Sequence, residues 1–494
     1  MGIRSIASKP LAAFEHWKTR KWLANPESVQ RKWMLKLVKE ASRTDFGLDH
    51  EFENIKNYED FKKSIPVRDY EELKPYINKI LKGDEDVLWP GKPLYLAKTS
   101  GSTTGVKYIP ITKQSIHNYI NSAKNAILAY IHETGKSEFL DKKLIFMSGS
   151  PETEKKAGIL TGSLSGIFIH HVPGYLRTNL LPSYKTNCIE NWETKLDKIT
   201  DETIDQSVSL ISGFPSWVQM YFDRITERTG KNIKDIFPDL ELLIYGGVNF
   251  ELNKARLFET IGKKIDSIEL YTTSEGFIAY QDSQKEEGML LLLDTGLFFE
   301  FIPADEYFNE NPNRIDISRV ELNKNYALII NSNAGLWGYS NGDTVKFVSL
   351  HPHRIVVSGQ IQHFISIFGE HVIAEEIEKA MKYALNKHPG TEVVEFTVAP
   401  QVSPSEGLPF HEWLIEFTRP PHNLPGFAAD LNKKMTDLNV YYKDLIEGGV
   451  LRPLIITVVK PKAFNDYIRS VGKLGGQIKV PRLANDRKIA DRLR

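Results

Sequence analysis

Residues 95–112 read YLAKTSGSTTGVKYIPIT: an apolar, strand-like entry, a hydroxyl-rich loop, and the start of a helix. Thr99, Ser100, Ser102, Thr103 and Thr104 stand together with Gly101 and Gly105 just before Lys107. Thr112 is a helix cap in type, and Ile116, Ile120, Ala123 and Ile127 follow it at helical spacing. Strand, small-residue loop and helix together make the unit from which α/β layers are built. Such a loop is either a solvated turn or a cradle. In a cradle, backbone N–H groups and a helix N-terminus close around phosphate oxygens.

The same alternation extends outward in both directions. KKLIFMSG, SVSLISG, LELLIYGG, DSIELYTT and YALIINS read as buried strands that end at small or polar turns. PSWVQMYFDRITERTG reads as a helix with Pro215 at its start, Gly230 at its end and its aromatic residues in the core. Residues 1–95 read as mostly helical, punctuated at NPES and KGDED. After residue 355 the character changes. HRIVVSG and QHFISIFG read as a strand pair, VIAEEIEKAMKYALNKH as a helix, and TEVVEFTVAP and HEWLIEFTR as strands. One helical stretch through AADLNKKMTDLNVYYKDLIEGG, the strand PLIITVV and a short helix complete that part. The expectation is an α/β domain over 1–355 with layered sheets and helices, and a smaller α+β cap over 356–494. A hinge is expected near 358–362, around Ser358 and Gly359.

A chain of 494 residues is too long for a single core. Apolar residues make up 41% and charged residues 26%, which is ordinary for a globular protein. Lys+Arg and Asp+Glu balance at 63 each, so no global field favours nucleic acid or an anionic membrane, and neither is an expected partner. Any bound anion requires a local site. Cys188 stands alone, which excludes an intramolecular disulfide and fits a reducing compartment. The N-terminal stretch lacks a signal-peptide core, and Ile6 breaks the myristoylation pattern. MLLLLDTGLFFEFI, interrupted by Asp294, is shorter than the roughly 20 residues of a membrane span. The expected location is cytoplasmic.

Spacing narrows the chemistry of the opening loop. A P-loop needs four residues between its glycines and Lys-Ser/Thr directly after; Gly101 and Gly105 flank three residues, and Val106 precedes Lys107. A nucleophile elbow needs Ser where Thr103 stands, which leaves a Thr103 hydrolase as a minor alternative. Three further segments carry candidate residues, each with an ordinary reading of its own. LYTTSEGF puts Glu275 after a strand, where a carboxylate is commonly solvated or capping. WGYSNGDTVKF puts Asp343 in what reads as an exposed hairpin turn. GGQIKVPRL carries Lys479, and a lone surface Lys needs no explanation. His170 and His171 read as paired histidines at a strand end, more often packing than catalytic, beside Phe168 and Tyr175. HPHR at 351–354 lacks the further ligands of a metal site. Cys188 reads as a small buried apolar residue.

In this order, the loop from Thr99 to Lys107, YTTSE at 271–275, YSNGD at 339–343 and GQIKVPR at 476–482 resemble the plant acyl acid–amido synthetase family. That family is the auxin-responsive branch of the adenylate-forming enzymes. The resemblance covers nearly the whole chain, which is more compact than plant members and similar to bacterial relatives. It implies an ATP- and Mg²⁺-dependent ligase that adenylates a carboxylic acid and passes the acyl group to an amino acid. By resemblance, Ser100, Gly101, Ser102, Thr103, Thr104, Gly105 and Lys107 wrap the phosphates. Thr273 and Ser274 lie beside the α-phosphate, Thr272 belongs to the same nucleotide site, and Glu275 holds Mg²⁺. Tyr245, Gly246, Gly247 and Tyr271 line the adenine slot; Tyr339 and Asp343 serve the ribose. Lys479, on a mobile cap, reaches the phosphates during adenylation.

Catalysis would thus rest on Lys479, Glu275 and Ser102. The chain departs from the family pattern at Thr272, where Gly is usual, at Ser340, where Arg is usual, and at Ser102, where Thr is usual. Two alternatives keep the nucleotide: an acid–thiol ligase using coenzyme A, and a catalytically silent nucleotide-binding homologue.

Overall fold

The computed structural model describes every residue except 1, 100–105, 247–256, 305, 308, 310, 361–363, 366–367, 369, 371, 471–481 and 485; at 175, 216, 359–360, 364–365, 373–375, 465 and 468–469 it describes backbone alone. The chain divides into two compact units. One comprises Met1–Lys98, Tyr108–Ile189 and Leu196–Ile361; the other comprises Thr99–Lys107, Glu190–Lys195 and Gln362–Arg494.

The first unit opens with helices α1 (Ile3–Leu23), α2 (Pro26–Ala41), α3 (Asp45–Asp49), α4 (Tyr58–Ser64) and α5 (Tyr70–Lys82). Their ends follow local chemistry. Asn25 caps α2 ahead of Pro26, and a reciprocal Asp69–Glu72 capping box starts α5. Helix α6 (Lys113–Thr134) begins at Thr112, whose hydroxyl accepts from Ser115 N, as its sequence predicts. The buried face of α6 is broader than the expected stripe, because α1 packs on it as well as the sheet; Ser115, Ile116, Tyr119, Ser122 and Ala126 are buried.

Strands β1 (Tyr95–Thr99), β2 (Lys107–Ile111), β3 (Lys143–Phe146), β4 (Glu154–Lys156) and β5 (Ile159–Ser163) come next. They are followed by β6 (Leu180–Leu181), β7 (Val208–Ser212), β8 (Leu242–Gly246), β9 (Asp266–Thr273) and β10 (Gly276–Tyr280). The unit ends with β11 (Met289–Leu291), β12 (Leu297–Pro303), β13 (Asn325–Ser332), β14 (Tyr339–Leu350) and β15 (His353–Gln360). A four-stranded sheet has the order β2-β1-β5-β4, and an eleven-stranded sheet the order β12-β13-β14-β15-β11-β10-β9-β8-β7-β3-β6.

The large sheet is parallel at one end and antiparallel at the other. β6, β3, β7, β8 and β9 run parallel, and β9 through β12 alternate. Parallel strands covered on both faces read as continuous apolar runs, which is why LLIYG and VSLIS are legible. The antiparallel half coils around one apolar cluster. Tyr271, Ile278, Leu291, Phe299, Tyr326 and Phe347, from six different strands, meet in it. Helix Pro215–Thr229 buries Val218, Tyr221, Phe222 and Ile225, so Tyr221 and Phe222 are core, as read, while Trp217 is half-buried.

The second unit carries the strands β16 (Phe364–Ile365), β17 (Val372–Ile373), β18 (Glu392–Gln401), β19 (Phe410–Arg419) and β20 (Ile455–Val458). β18, β19 and β20 form one sheet, and helices Ala374–Lys387 and Leu424–Leu438 pack together. Inside it the fully buried Glu412 carboxylate meets Arg487 at 2.7 Å and Arg494 at 2.6 Å. Burial alone would raise its pKa, but Thr457 and these two guanidinium groups hold it below the usual range.

Four expectations are corrected. HRIVVSG does not pair with QHFISIFG: β15 pairs with β14 and β11, and β16 with β17. The helical stretch after β19 is two helices, Leu424–Leu438 and Val440–Glu447, because Asn439 leaves the helical region. Its side chain accepts from Tyr442 N at 2.8 Å and donates to Glu376 at 3.0 Å. His170 and His171 end a helix, Leu164–His171, rather than a strand. Cys188 is half-buried rather than buried.

The fold also sets a pH dependence. Burial, and then neighbouring His351, depress His353 from 6.5 to about 4. A depressed His favours the folded state above the unfolded pKa, and that contribution is lost as pH falls through the window from 6.5 to about 4. The loss is about 3 kcal/mol. Denaturant unfolding at both ends of that window should show His353→Gln losing about 3 kcal/mol less than wild type. Parallel stability curves would contradict this.

Candidate functional site

Two of the motifs end neighbouring parallel strands. β8 ends on Tyr245 and Gly246, and β9 on Tyr271, Thr272 and Thr273. The carboxyl ends of parallel strands are where open α/β sheets place ligands. Gly246 has a packing reason of its own: a Cβ there would stand 2.4 Å from the Leu270 carbonyl oxygen.

β9 returns into β10 through Ser274 and Glu275 alone, since Thr273 pairs with Gly276. The turn is pinned from two sides. Glu275 N donates to Thr273 Oγ1 at 3.3 Å, and Tyr119 Oη of α6 donates to the Thr273 carbonyl at 2.7 Å. A carboxylate at a hairpin tip is ordinarily solvated. Glu275 is only 8% exposed, so the solvated reading fails.

Asp343 departs further from its turn reading. Residues 339–350 form one continuous strand, and Asp343 lies inside it, 9% exposed, opposite Gln360. Gly342, at φ +86°, permits the local twist that a Cβ would resist. Tyr271 Oη donates to Asp343 Oδ2 at 2.6 Å, and Asn341 Nδ2 donates to the same oxygen at 2.7 Å. Asp343 N in turn donates to Asn341 Oδ1 at 3.0 Å. β14 and β9 stand four steps apart in the strand order, about 19 Å in a flat sheet. The Tyr271–Asp343 bond therefore exists only because the antiparallel half coils.

Burial, then the Asp343 charge, push the Tyr271 phenol well above its ordinary range. It stays a donor at any working pH. Burial and then the charge of Glu275 do the same to Tyr339. Tyr271 also feels Glu275, so the Glu275 charge acts on both phenols, one of which is bonded to Asp343. The buried Thr272 Oγ1 has no hydrogen-bond partner among the described residues. Two buried carboxylates, with a buried hydroxyl on β9 left without a partner, fit a polar ligand with hydroxyl groups and an accompanying cation. Among the described residues no group of three His, Cys, Asp or Glu makes a ready cage. A divalent ion would share Glu275 with ligand oxygens, the manner in which Mg²⁺ binds phosphates.

Lys107 starts β2, is half-buried, and falls in the second unit. Ser100, Gly101, Ser102, Thr103, Thr104, Gly105, Gly247 and Lys479 lie outside the described residues. His170 Nε2 donates to the Pro151 carbonyl at 2.6 Å, and His171 Nε2 lies 3.0 Å from Tyr95 Oη, so both pack. Ser340 is bracketed by the Arg68 backbone, through Arg68 N to Gly338 O and Ser340 N to Arg68 O, each 2.8 Å. The Arg68 guanidinium is committed to His50 at 2.6 Å and to the Phe46 face at 4.9 Å. Tyr119 and Asn341 escaped the sequence reading. Asn341 was visible inside YSNGD, but nothing local marks Tyr119 apart from its place on a helix that buries two faces.

Comparison with known proteins bears on the whole chain. Residues 17–186 match the GH3 family N-terminal domain, 290–357 its central domain and 375–488 its C-terminal domain. The indole-3-acetic acid-amido synthetase GH3.3 of Arabidopsis thaliana is 22% identical over 95% of this chain and 91% of its own. The jasmonoyl–L-amino acid synthetase JAR4 of Nicotiana attenuata is 20% identical over 92% and 90%. Among solved structures, the AtGH3.15 acyl acid amido synthetase with 2,4-DB superposes with a TM-score of 0.59 at 17% identity, over 95% and 93% of the two chains. A 2-hydroxyisobutyryl-CoA ligase in its thioesterification state also reaches 0.59, at 14% identity over 95% and 91%. These superpositions establish the adenylate-forming fold, a large N-terminal domain with a smaller C-terminal one. With three domain matches in family order and relatives aligned over nearly their full length, the chain belongs to the GH3 family, the acyl acid amido synthetases.

Proposed function

We propose that the protein joins a carboxylic acid to an amino acid amine in two half-reactions driven by ATP. A carboxylate is a poor electrophile: its charge repels nucleophiles and it has no leaving group. In the first step a carboxylate oxygen attacks the α-phosphorus, the bond to the β-phosphate oxygen breaks, and pyrophosphate departs. In the second, the amine attacks the acyl carbonyl, AMP leaves with the electron pair, and the amine loses a proton. The protein contributes position and charge rather than covalent chemistry.

One observation supports the reading most directly: Tyr271, which also senses the Glu275 charge, and Asn341 together fix the Asp343 carboxylate. A carboxylate accepts roughly four hydrogen bonds, so Asp343 can take ribose hydroxyls beyond its protein donors. Thr273 and Ser274 would lie at the α-phosphate, with Thr272 in the same nucleotide site. Ser100, Gly101, Ser102, Thr103, Thr104, Gly105 and Lys107 would enclose the phosphates, with Tyr245, Gly246 and Gly247 at the adenine and Tyr339 beside the ribose. Glu275 would hold Mg²⁺, which when bound neutralises charge on the departing pyrophosphate. Lys479 would act from a cap that turns about 358–362. The reducing compartment implied by the lone Cys188 supports a cytoplasmic setting.

Acid-dependent exchange of labelled pyrophosphate into ATP, across aliphatic, aromatic and jasmonate-like acids, tests the first half-reaction. Folded protein that neither exchanges nor binds ATP would refute it; ATP binding without exchange would identify a silent homologue. The fold is equally like an amide-forming and a thioester-forming enzyme, at 0.59 each. Mass spectrometry of products formed with amino acids and coenzyme A present together identifies the acceptor. Lys479→Ala should slow exchange about a hundredfold, while amide formation from supplied acyl-adenylate stays within about twofold. Equal losses in both halves would remove the swinging-cap role.

A further inference from the structure

Helix α1 is built inside out. Its packed face is small and polar: Ser5, Ser8 and Ala12 are buried against α6 and the turn after it. Ser5 Oγ lies 2.8 Å from Ser137 Oγ, and Gly2 N donates to Asp141 Oδ2 at 2.6 Å. Trp22 and Leu23 at its C-terminal end pack against the core, but the large apolar residues before them point the other way. Ile3 is 85% exposed and Trp17 52%, and Ile6, Leu11 and Phe14 are exposed with them. At 100° per residue, Ile3, Ile6, Phe14 and Trp17 share one stripe, and the helix is about 30 Å long. Scattered exposed apolar residues need no explanation, but a contiguous stripe marks an interaction surface.

Charge identifies what the stripe meets. The helix carries Arg4, Lys9, Lys18, Arg20 and Lys21 against Glu15 alone, in a chain whose overall formal charge is zero. Lys21 Nζ sits 3.3 Å from the Trp17 ring centre and Lys18 Nζ 4.5 Å from that of Phe14. Glu15, whose side chain is largely buried, pairs with Lys18 at 3.3 Å and with Lys124 at 3.5 Å, and Lys9 faces Glu138 at 3.9 Å. This leaves Arg20 and Lys21 without a carboxylate partner among the described residues. Two copies of this face would oppose cation to cation. Aromatic rings flanked by lysines, with a polar opposite face, suit the boundary between headgroups and acyl chains of an anionic bilayer. No described helix is long and apolar enough to cross a membrane, so α1 would lie on the surface. We propose that the outer face of α1 docks the protein reversibly on anionic lipid surfaces. The balanced global charge conceals this local excess.

Co-sedimentation of the full chain tests it, with phosphatidylcholine vesicles alone and vesicles containing phosphatidylserine. The expected result is binding to the anionic vesicles at least tenfold tighter than to the neutral ones, released by salt. The double variant Phe14→Ser, Trp17→Ser should lose at least tenfold in that binding, with an unchanged melting temperature and unchanged pyrophosphate exchange. Lys18→Gln, Lys21→Gln should weaken anionic binding only. Wild-type protein that stays in the supernatant with anionic vesicles overturns the proposal. So does a wild-type dimer that the aromatic variant converts to monomer in sedimentation equilibrium, which would assign the face to a second copy.

Discussion

Replacing Asp343 with alanine should raise the ATP concentration needed for half-maximal pyrophosphate exchange about a hundredfold, with little change in the requirement for acid. The physical basis is the bonding around its carboxylate. Tyr271 and Asn341 both donate to Oδ2, at 2.6 and 2.7 Å, so the group is oriented before any nucleotide arrives. A hydrogen bond to a charged partner contributes about 1.5–3 kcal/mol, and losing two ribose contacts corresponds to about a hundredfold. The same substitution leaves the buried Tyr271 hydroxyl without its acceptor, at a further cost of about 1–3 kcal/mol in stability. Asp343→Asn separates the effects. Asn keeps an oxygen for Tyr271 but loses the charge, so affinity should fall while the melting temperature is largely retained. Equal ATP and acid effects, measured as KM for each, would place Asp343 outside the nucleotide site.

Glu275→Gln should slow exchange about a hundredfold or more and shift the Mg²⁺ requirement upward. The amide keeps the shape of the hairpin tip, so the turn held by Tyr119 and Thr273 should survive. What disappears is a buried negative charge that both Tyr339 and Tyr271 sense. A Glu275→Gln enzyme that retains the wild-type Mg²⁺ titration would exclude Glu275 as a metal ligand.

Lys479 and the loop at 99–107 were assigned by motif order alone, whereas Asp343 and Glu275 acquired a setting from the fold. That setting could not be read locally. YSNGD has the residues of a turn, and turn chemistry is a property of a few neighbours. β14 nevertheless continues through it with a bulge: pairing with β13 skips from Ser340 to Thr344, and pairing with β15 begins at Asp343. Glu275 shows the reverse case: the turn was legible and is present, but its burial comes from elements that the turn does not contain.

The sequence by itself determined where most strands and helices form, and the order of the four motifs. Apolar periodicity, capping boxes and glycine stops act within a few residues of where they are written, as at Thr112 and Gly230. The tertiary structure alone decided which distant groups meet and which faces stay bare. Coiling of the antiparallel half brings Tyr271 to Asp343, and packing on a small-residue face leaves the aromatic side of α1 in water. Both depend on contacts between segments far apart in the chain, and such contacts leave no trace in any short window of sequence.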